Sequence, residues 1–184
     1  MQTPDDILEI FLQPGDFYFG DEKTRIRTLL GSCIAITMWH PKLRIGGMCH
    51  YMLPQNRRKA DPMKKMPPQN RRKADPGDNV LDGRYAVDAM QMFLNEIHRS
   101  RTKPADYQVK LFGGGRMFTH TGKADRPISV SEQNVEFGHA IIKQYGFKLM
   151  ADDLGGDGHR NIILDLWSGD VWVRTAKRIP QTDS

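Results

Sequence analysis

Cysteine is scarce in this chain. Two thiols in 184 residues, Cys33 and Cys49, exclude the disulfide-stapled class of small secreted domains and make a reducing compartment, the cytoplasm, the expected location. Long apolar runs are also missing. No stretch approaches the ~20 residues that cross a bilayer, so no membrane insertion is expected. The opening MQTPDDILEIFLQPGD has neither the basic start nor the apolar core of a secretory leader, and none is expected. No C-x2-C pair occurs, and His40, His98, His120, His139 and His159 are scattered, so no metal site is expected. The chain also lacks the G-K-S/T of a phosphate loop and the spacing of a dinucleotide fingerprint.

What is present begins with charge. The net charge is +5, with 27 Lys/Arg against 22 Asp/Glu. Residues 54–76 alone hold eight basic and two acidic side chains, a local +6. The remainder is therefore close to neutral, and the basicity belongs to one segment. That segment contains PQNRRKADP twice, at 54–62 and 68–76. Two copies so close, with almost nothing apolar to bury, do not make a solenoid and cannot offset the entropy of ordering. The expectation is one domain over 1–184 with a flexible basic insert. A basic loop that binds nucleic acid is the competing reading. It is disfavoured because the rest of the chain shows no recognised nucleic-acid motif.

Around the insert the pattern is mixed. CIAITMW (33–39) and MCHYML (48–53) read as paired strands joined by a turn. GRYAVDAMQMFLNEIHRS (83–100) reads as a helix, with Tyr85, Ala89, Met92, Phe93 and Ile97 near one face. DYQVKLFGGG (106–115) is a strand running into three glycines, expected to make a tight turn beside a cleft. A second helix spans 129–146, with a Ser129–Glu132 capping box and a Gly146 stop. FKLMAD, RNIILDLW and DVWVRTA read as strands, the last two forming a hairpin around SGD. ADDLGGDGHRN (151–161) lacks the ligand spacing of a calcium loop and reads as a turn between strands. This order of elements is α+β.

The chemistry gathers at TLLGSCIAITMW. A free cysteine is usually a small core residue. It is also a nucleophile when a neighbour draws off its proton. Gly31 and Ser32 precede Cys33, and a bend there could turn backbone N–H groups into one hollow able to hold an oxyanion. His50 lies on the next strand. Adjacent strands run about 4.8 Å apart, so a thiol and an imidazole on one face can come within reach. Cys49 neighbours His50 in sequence and should point to the opposite face, into packing. A third group usually orients such an imidazole. Thr28, five residues before Cys33, carries a hydroxyl that could accept, and an ordinary strand threonine is the other reading.

Several stretches taken together resemble the chemoreceptor glutamine deamidases of the CheD family. They are PGD (14–16), TLLGSCIAITMWHP (28–41), GGMCHYMLP (46–54), LDGRYAVDAM (81–90), KLFGGGRMF (110–118), SEQNVEF (131–137) and DDLGGDGHRNIILDLWSGDVWVR (152–174). The resemblance implies mixed β-sheets packed together with helices outside, as in toxin deamidases. It implies hydrolysis of selected glutamine side chains on methyl-accepting chemotaxis receptors, with no cofactor. Cys33 maps to the nucleophile, His50 to its histidine and Thr28 to the hydroxyl residue. It also implies a CheC-type phosphatase as a partner of some members. A non-catalytic adaptor that binds receptor and phosphatase is the alternative, and turnover separates the two.

Overall fold

Two sheets share one strand-rich chain. The computed structural model describes residues 3–55, 80–117 and 128–176. Most of the repeated insert, residues 56–76, lies outside them. Three strands come first: β1 (Leu8–Leu12), β2 (Phe17–Gly20) and β3 (Thr24–Leu30). Next come β4 (Ile34–His40), β5 (Ile45–Tyr51) and helix α1 (Ala86–Arg99). They are followed by β6 (Gln108–Gly113), helix α2 (Val130–Gln144), β7 (Lys148–Leu154), β8 (His159–Asp165) and β9 (Asp170–Ala176). The α+β class expected from the order of elements is the one found.

The strands sort into a four-stranded sheet, β1-β3-β8-β9, and a five-stranded sheet, β2-β5-β4-β6-β7. Both are mixed: β1 runs parallel to β3 and β6 parallel to β7, while the other pairs are antiparallel. Strand parity explains the layering, because neighbouring side chains point to opposite faces. Ile34, Ile36 and Met38 of β4 join Cys49 and Tyr51 of β5 in a core shared with Ala89, Met90, Phe93, Ile141 and Ile142 of the helices. Ala35 and Met48 face the other way, into a second core with Leu12, Ile26, Leu30, Ile162 and Leu164 of the smaller sheet. The five-stranded sheet is thus the middle layer, covered by helices on one face and by the second sheet on the other. β4 and β5 are buried on both faces, which suits their near-continuous apolar runs.

The helices follow their signals with one adjustment. α1 buries Ala86, Ala89, Met90, Phe93 and Ile97, the i, i+3, i+4, i+7 stripe of an amphipathic helix. Met90 takes the inward position expected of Met92, and Tyr85 is the N-cap residue. Full burial of Phe93 contributes about 1.5–3 kcal/mol by area. α2 starts at the expected capping box: Ser129 Oγ accepts from the Glu132 N–H at 3.2 Å, and Glu132 accepts from the Ser129 N–H at 2.8 Å. Its chain leaves through Gly146 at φ +71°, a conformation that favours glycine.

Candidate active site

The bend that precedes β4 carries the chain from one sheet to the other. β3 ends at Leu30 in the smaller sheet, and Gly31, Ser32 and Cys33 cross to β4 in the larger one. Each carbonyl of the bend is taken. The Gly115 N–H donates to Gly31 O at 2.8 Å, and the Gly114 N–H donates to Cys33 O at 2.8 Å. Asn134 Nδ2 donates to Ser32 O at 3.2 Å. The glycine run at 113–115 is therefore the platform of the thiol loop, as well as a turn beside a cleft. A Cβ on Gly113, which sits at φ +116°, would lie 2.2 Å from Cys33 O. Only glycine allows that approach.

His50 is fixed from both ends. Its backbone N–H donates to Asp16 O at 3.0 Å, and its carbonyl accepts from Gly15 N–H at 2.7 Å. The PGD turn thus anchors the strand that bears the imidazole. The ring points into the space between the sheets and is 1% exposed. There its Nδ1 lies 2.8 Å from Thr28 Oγ1 of β3. Thr28 Oγ1 also donates to Leu12 O at 2.9 Å.

These two bonds decide the tautomer. A hydroxyl has one proton to give. Thr28 gives it to Leu12 O, so Oγ1 accepts from the ring and Nδ1 carries the hydrogen. Nε2 is left with its lone pair. That atom is buried and has no hydrogen-bond partner among the described residues.

Cys33 lies on the same face of the sheet as His50. Ala35 sits directly opposite His50 in the β4–β5 register, and Cys33 is two residues before it. Diagonal neighbours of this kind have Cα atoms about 7–8 Å apart. Cys33 is half-buried against the inter-sheet core, and Cys49 is fully buried in the helix-side core. The structure therefore brings Thr28 and His50 into direct contact and places Cys33 on the same face, with Gly31 and Ser32 forming the bend. Cys49 points away.

Burial sets the charge state. It pushes the His50 imidazole down to about 4, against the opposing pull of the Asp16 carboxylate. It also raises the Cys33 thiol, while a hydrogen bond from Ser32 works the other way. The Cys49 thiol is pushed up to about 12 by complete burial. At neutral pH both the thiol and the imidazole are uncharged, a state that suits proton transfer during attack rather than a standing ion pair.

A cleft of about 330 Å³ opens beside the thiol loop, lined by Gly114, Arg116, Ser131, Val135, Glu136 and Gly156. It borders the residue that holds the Cys33 carbonyl rather than the sulfur itself. A hollow of about 580 Å³ near Gly15, Asp16 and Met92 contains none of the three side chains. Two further residues serve the site that strand patterns do not reveal. Asn134 holds Ser32. Arg160, 5% exposed, donates to Asp153 at 2.9 Å and to Gly155 O at 2.7 Å, bracing the turn against which Gly113 and Arg116 bond. Both lie in stretches quoted for the family resemblance, SEQNVEF and GHRN, which was their signal.

A two-sheet α+β frame with a cysteine in the bend before β4 and a threonine-held histidine on the neighbouring strand β5 defines a class. A thiol and a neutral imidazole on one face are the groups that nucleophilic acyl transfer by cysteine requires. Comparison then supplies the family. The model described as CheD chemotactic sensory transduction matches residues 66–175. A protein of Pseudomonas savastanoi named "Probable chemoreceptor glutamine deamidase CheD" is 48% identical over 174 residues, 95% of this chain and 88% of its own length. One from Dechloromonas aromatica, named as a CheD 3 of the same kind, is 41% identical across 93% of this chain and 89% of its own. One from Leptospira interrogans, named as a CheD 1, is 38% identical across 92% and 94%. The chain belongs to the CheD family. No described helix is long and apolar enough to cross a membrane.

Proposed function

We propose that this chain hydrolyses glutamine side-chain amides on chemotaxis receptors, leaving glutamate side chains and releasing ammonia. Family membership and the names of the relatives support the reaction and its substrate class. The observation that carries the chemistry is the Thr28–His50 bond, because it leaves the base lone pair on Nε2.

The geometry supports the following steps. His50 Nε2 takes the Cys33 thiol proton as the sulfur attacks the carboxamide carbon. The carbonyl oxygen becomes an oxyanion, steadied by N–H groups of the Gly31–Cys33 bend. The anchoring of all three bend carbonyls supports this role. His50 returns its proton to the departing nitrogen, ammonia leaves, and a thioester remains. Water then attacks the thioester, giving its proton to His50, and the cysteine leaves with that proton. Thr28 keeps the ring in register throughout. None of these steps calls on a metal or an organic cofactor.

The same reading makes residues 1–184 one deamidase unit acting in the cytoplasm. A CheC-type phosphatase is a candidate partner, tested by co-elution of the two purified proteins. The function is tested by incubating the purified chain with receptor fragments and measuring intact mass. Replacement of amide NH2 by OH is expected at each modified glutamine, with ammonia released in equal amount. A receptor whose mass never changes refutes the assignment and leaves the adaptor.

A further inference from the structure

The β4–β5 ladder stops one residue short of the thiol. Its last pair is Ile34 with Tyr51. Continued pairing would join Cys33 to Met52 and lock the nucleophile into the sheet. Instead the strands part. The Met52 and Leu53 N–H groups turn to Arg84 O, at 2.9 and 3.1 Å. Two carbonyls, Ser32 O and Met52 O, are left at the fork, and buried backbone acceptors require partners. Both receive one side chain. Asn134 Nδ2 donates to Met52 O at 2.8 Å and to Ser32 O at 3.2 Å. Its own backbone carbonyl accepts from the Tyr51 hydroxyl at 2.7 Å.

Asn134 is fully buried, and its Oδ1 has no partner among the described residues. A buried acceptor left unpaired costs about 1–3 kcal/mol. A side chain serving packing alone would not carry that cost. The donor end is what the site uses. It ties the residue before Cys33 to the residue two beyond His50, across the opening between their strands.

We propose that Asn134 is a positioning residue for the hydrolysis. Its side-chain amide bridges the fork and sets the reach between the Cys33 sulfur and His50 Nε2. The proposal rests on the reading of Cys33 and His50 as the reacting pair. Asn134 touches neither reacting atom and acts through the two backbone segments that carry them.

The test uses Asn134→Ala, which removes the bridge, and Asn134→Asp, which sets a carboxylate against two carbonyls. On a receptor fragment, kcat should fall about 10- to 100-fold with KM within about twofold, as for a small displacement of reacting groups. Without receptor, the rate of Cys33 alkylation by iodoacetamide should fall by about tenfold, because the thiol loses its base. Labelling should still reach one thiol per chain. A purely structural role predicts a different pattern: an unfolded fraction in which both Cys33 and Cys49 label, and a folded fraction that turns over at the wild-type kcat. That result overturns the proposal, as do unchanged alkylation and kcat in both variants. If the wild-type chain leaves receptor glutamines intact, the functional reading falls, and the alkylation comparison still decides for Asn134. Should neither variant fold, the wild-type side-chain amide protons decide by NMR. Slow exchange with solvent is expected, and exchange at the rate of an exposed asparagine overturns the bridge.

Discussion

Replacing Thr28 with valine is the sharpest probe of this site. Valine keeps the shape and removes the hydroxyl. The threonine is fully buried and uses its oxygen twice, toward Leu12 O at 2.9 Å and His50 Nδ1 at 2.8 Å. Thr28→Val leaves both partners buried and unpaired. Each costs about 1–3 kcal/mol, so the fold should lose roughly 2–6 kcal/mol. For a chain of this size that is a fall in Tm of roughly 4–24 °C. The catalytic effect is separate. Without the acceptor on Nδ1 the ring can turn and carry its hydrogen on Nε2, where it no longer serves as a base. General-base contributions run to about 10²–10⁴-fold, and kcat/KM should fall by roughly 10²–10³. Thr28→Ser restores the oxygen and should stay within about tenfold of the parent chain. The assay is deamidation of a receptor fragment by mass, with imidazole 15N shifts reporting the tautomer. Wild-type kcat/KM in Thr28→Val, with the Nδ1–H tautomer intact, refutes the argument from the two hydrogen bonds.

Other outcomes follow from the same geometry. Cys33→Ala should abolish deamidation, whereas Cys49→Ala should keep turnover and lose about 1 kcal/mol or less to a small cavity, measured by urea unfolding. Acid should destabilise the chain through His50. Folding depresses its pKa from 6.5 to about 4, so its contribution is complete above pH 6.5 and is lost as pH falls toward 4. The loss approaches about 3 kcal/mol, and His50→Gln should flatten the stability profile across that window. The acid limb of kcat/KM should fall near pH 4 for the same reason, and a limb near 6.5 would contradict a buried neutral ring. Arg160→Met should cost about 1–3 kcal/mol in denaturant unfolding, because Gly155 O loses a buried donor; an unchanged midpoint counts against the brace.

Much of the site was legible because strand parity is a strict rule. Cys33 precedes Ala35 by two positions, and Ala35 faces His50, so the thiol and ring share a face while Cys49 cannot join them. Turn and cap chemistry was equally plain at SGD and at Ser129–Glu132. The three strands before Cys33 were harder. β1 is a sheet edge whose Leu8 and Phe11 remain about half exposed, so its apolar residues do not alternate with burial. β2 has four residues, all partly buried, with no pattern to read. β3 buries Thr24 and Thr28 beside Ile26 and Leu30, so its inward face is half polar in the sequence. Asn134 was hidden for a different reason. Its partners are main-chain oxygens 82 and 102 residues away, and backbone atoms leave no mark in a sequence. The ring tautomer depends on Leu12 O in the same way.

The uncharged resting thiol has a bearing on oxidation as well as on rate. Peroxide and most electrophiles attack sulfur only once it has lost its hydrogen. Burial raises the Cys33 thiol and so lowers its thiolate fraction, which slows such agents relative to a standing thiolate.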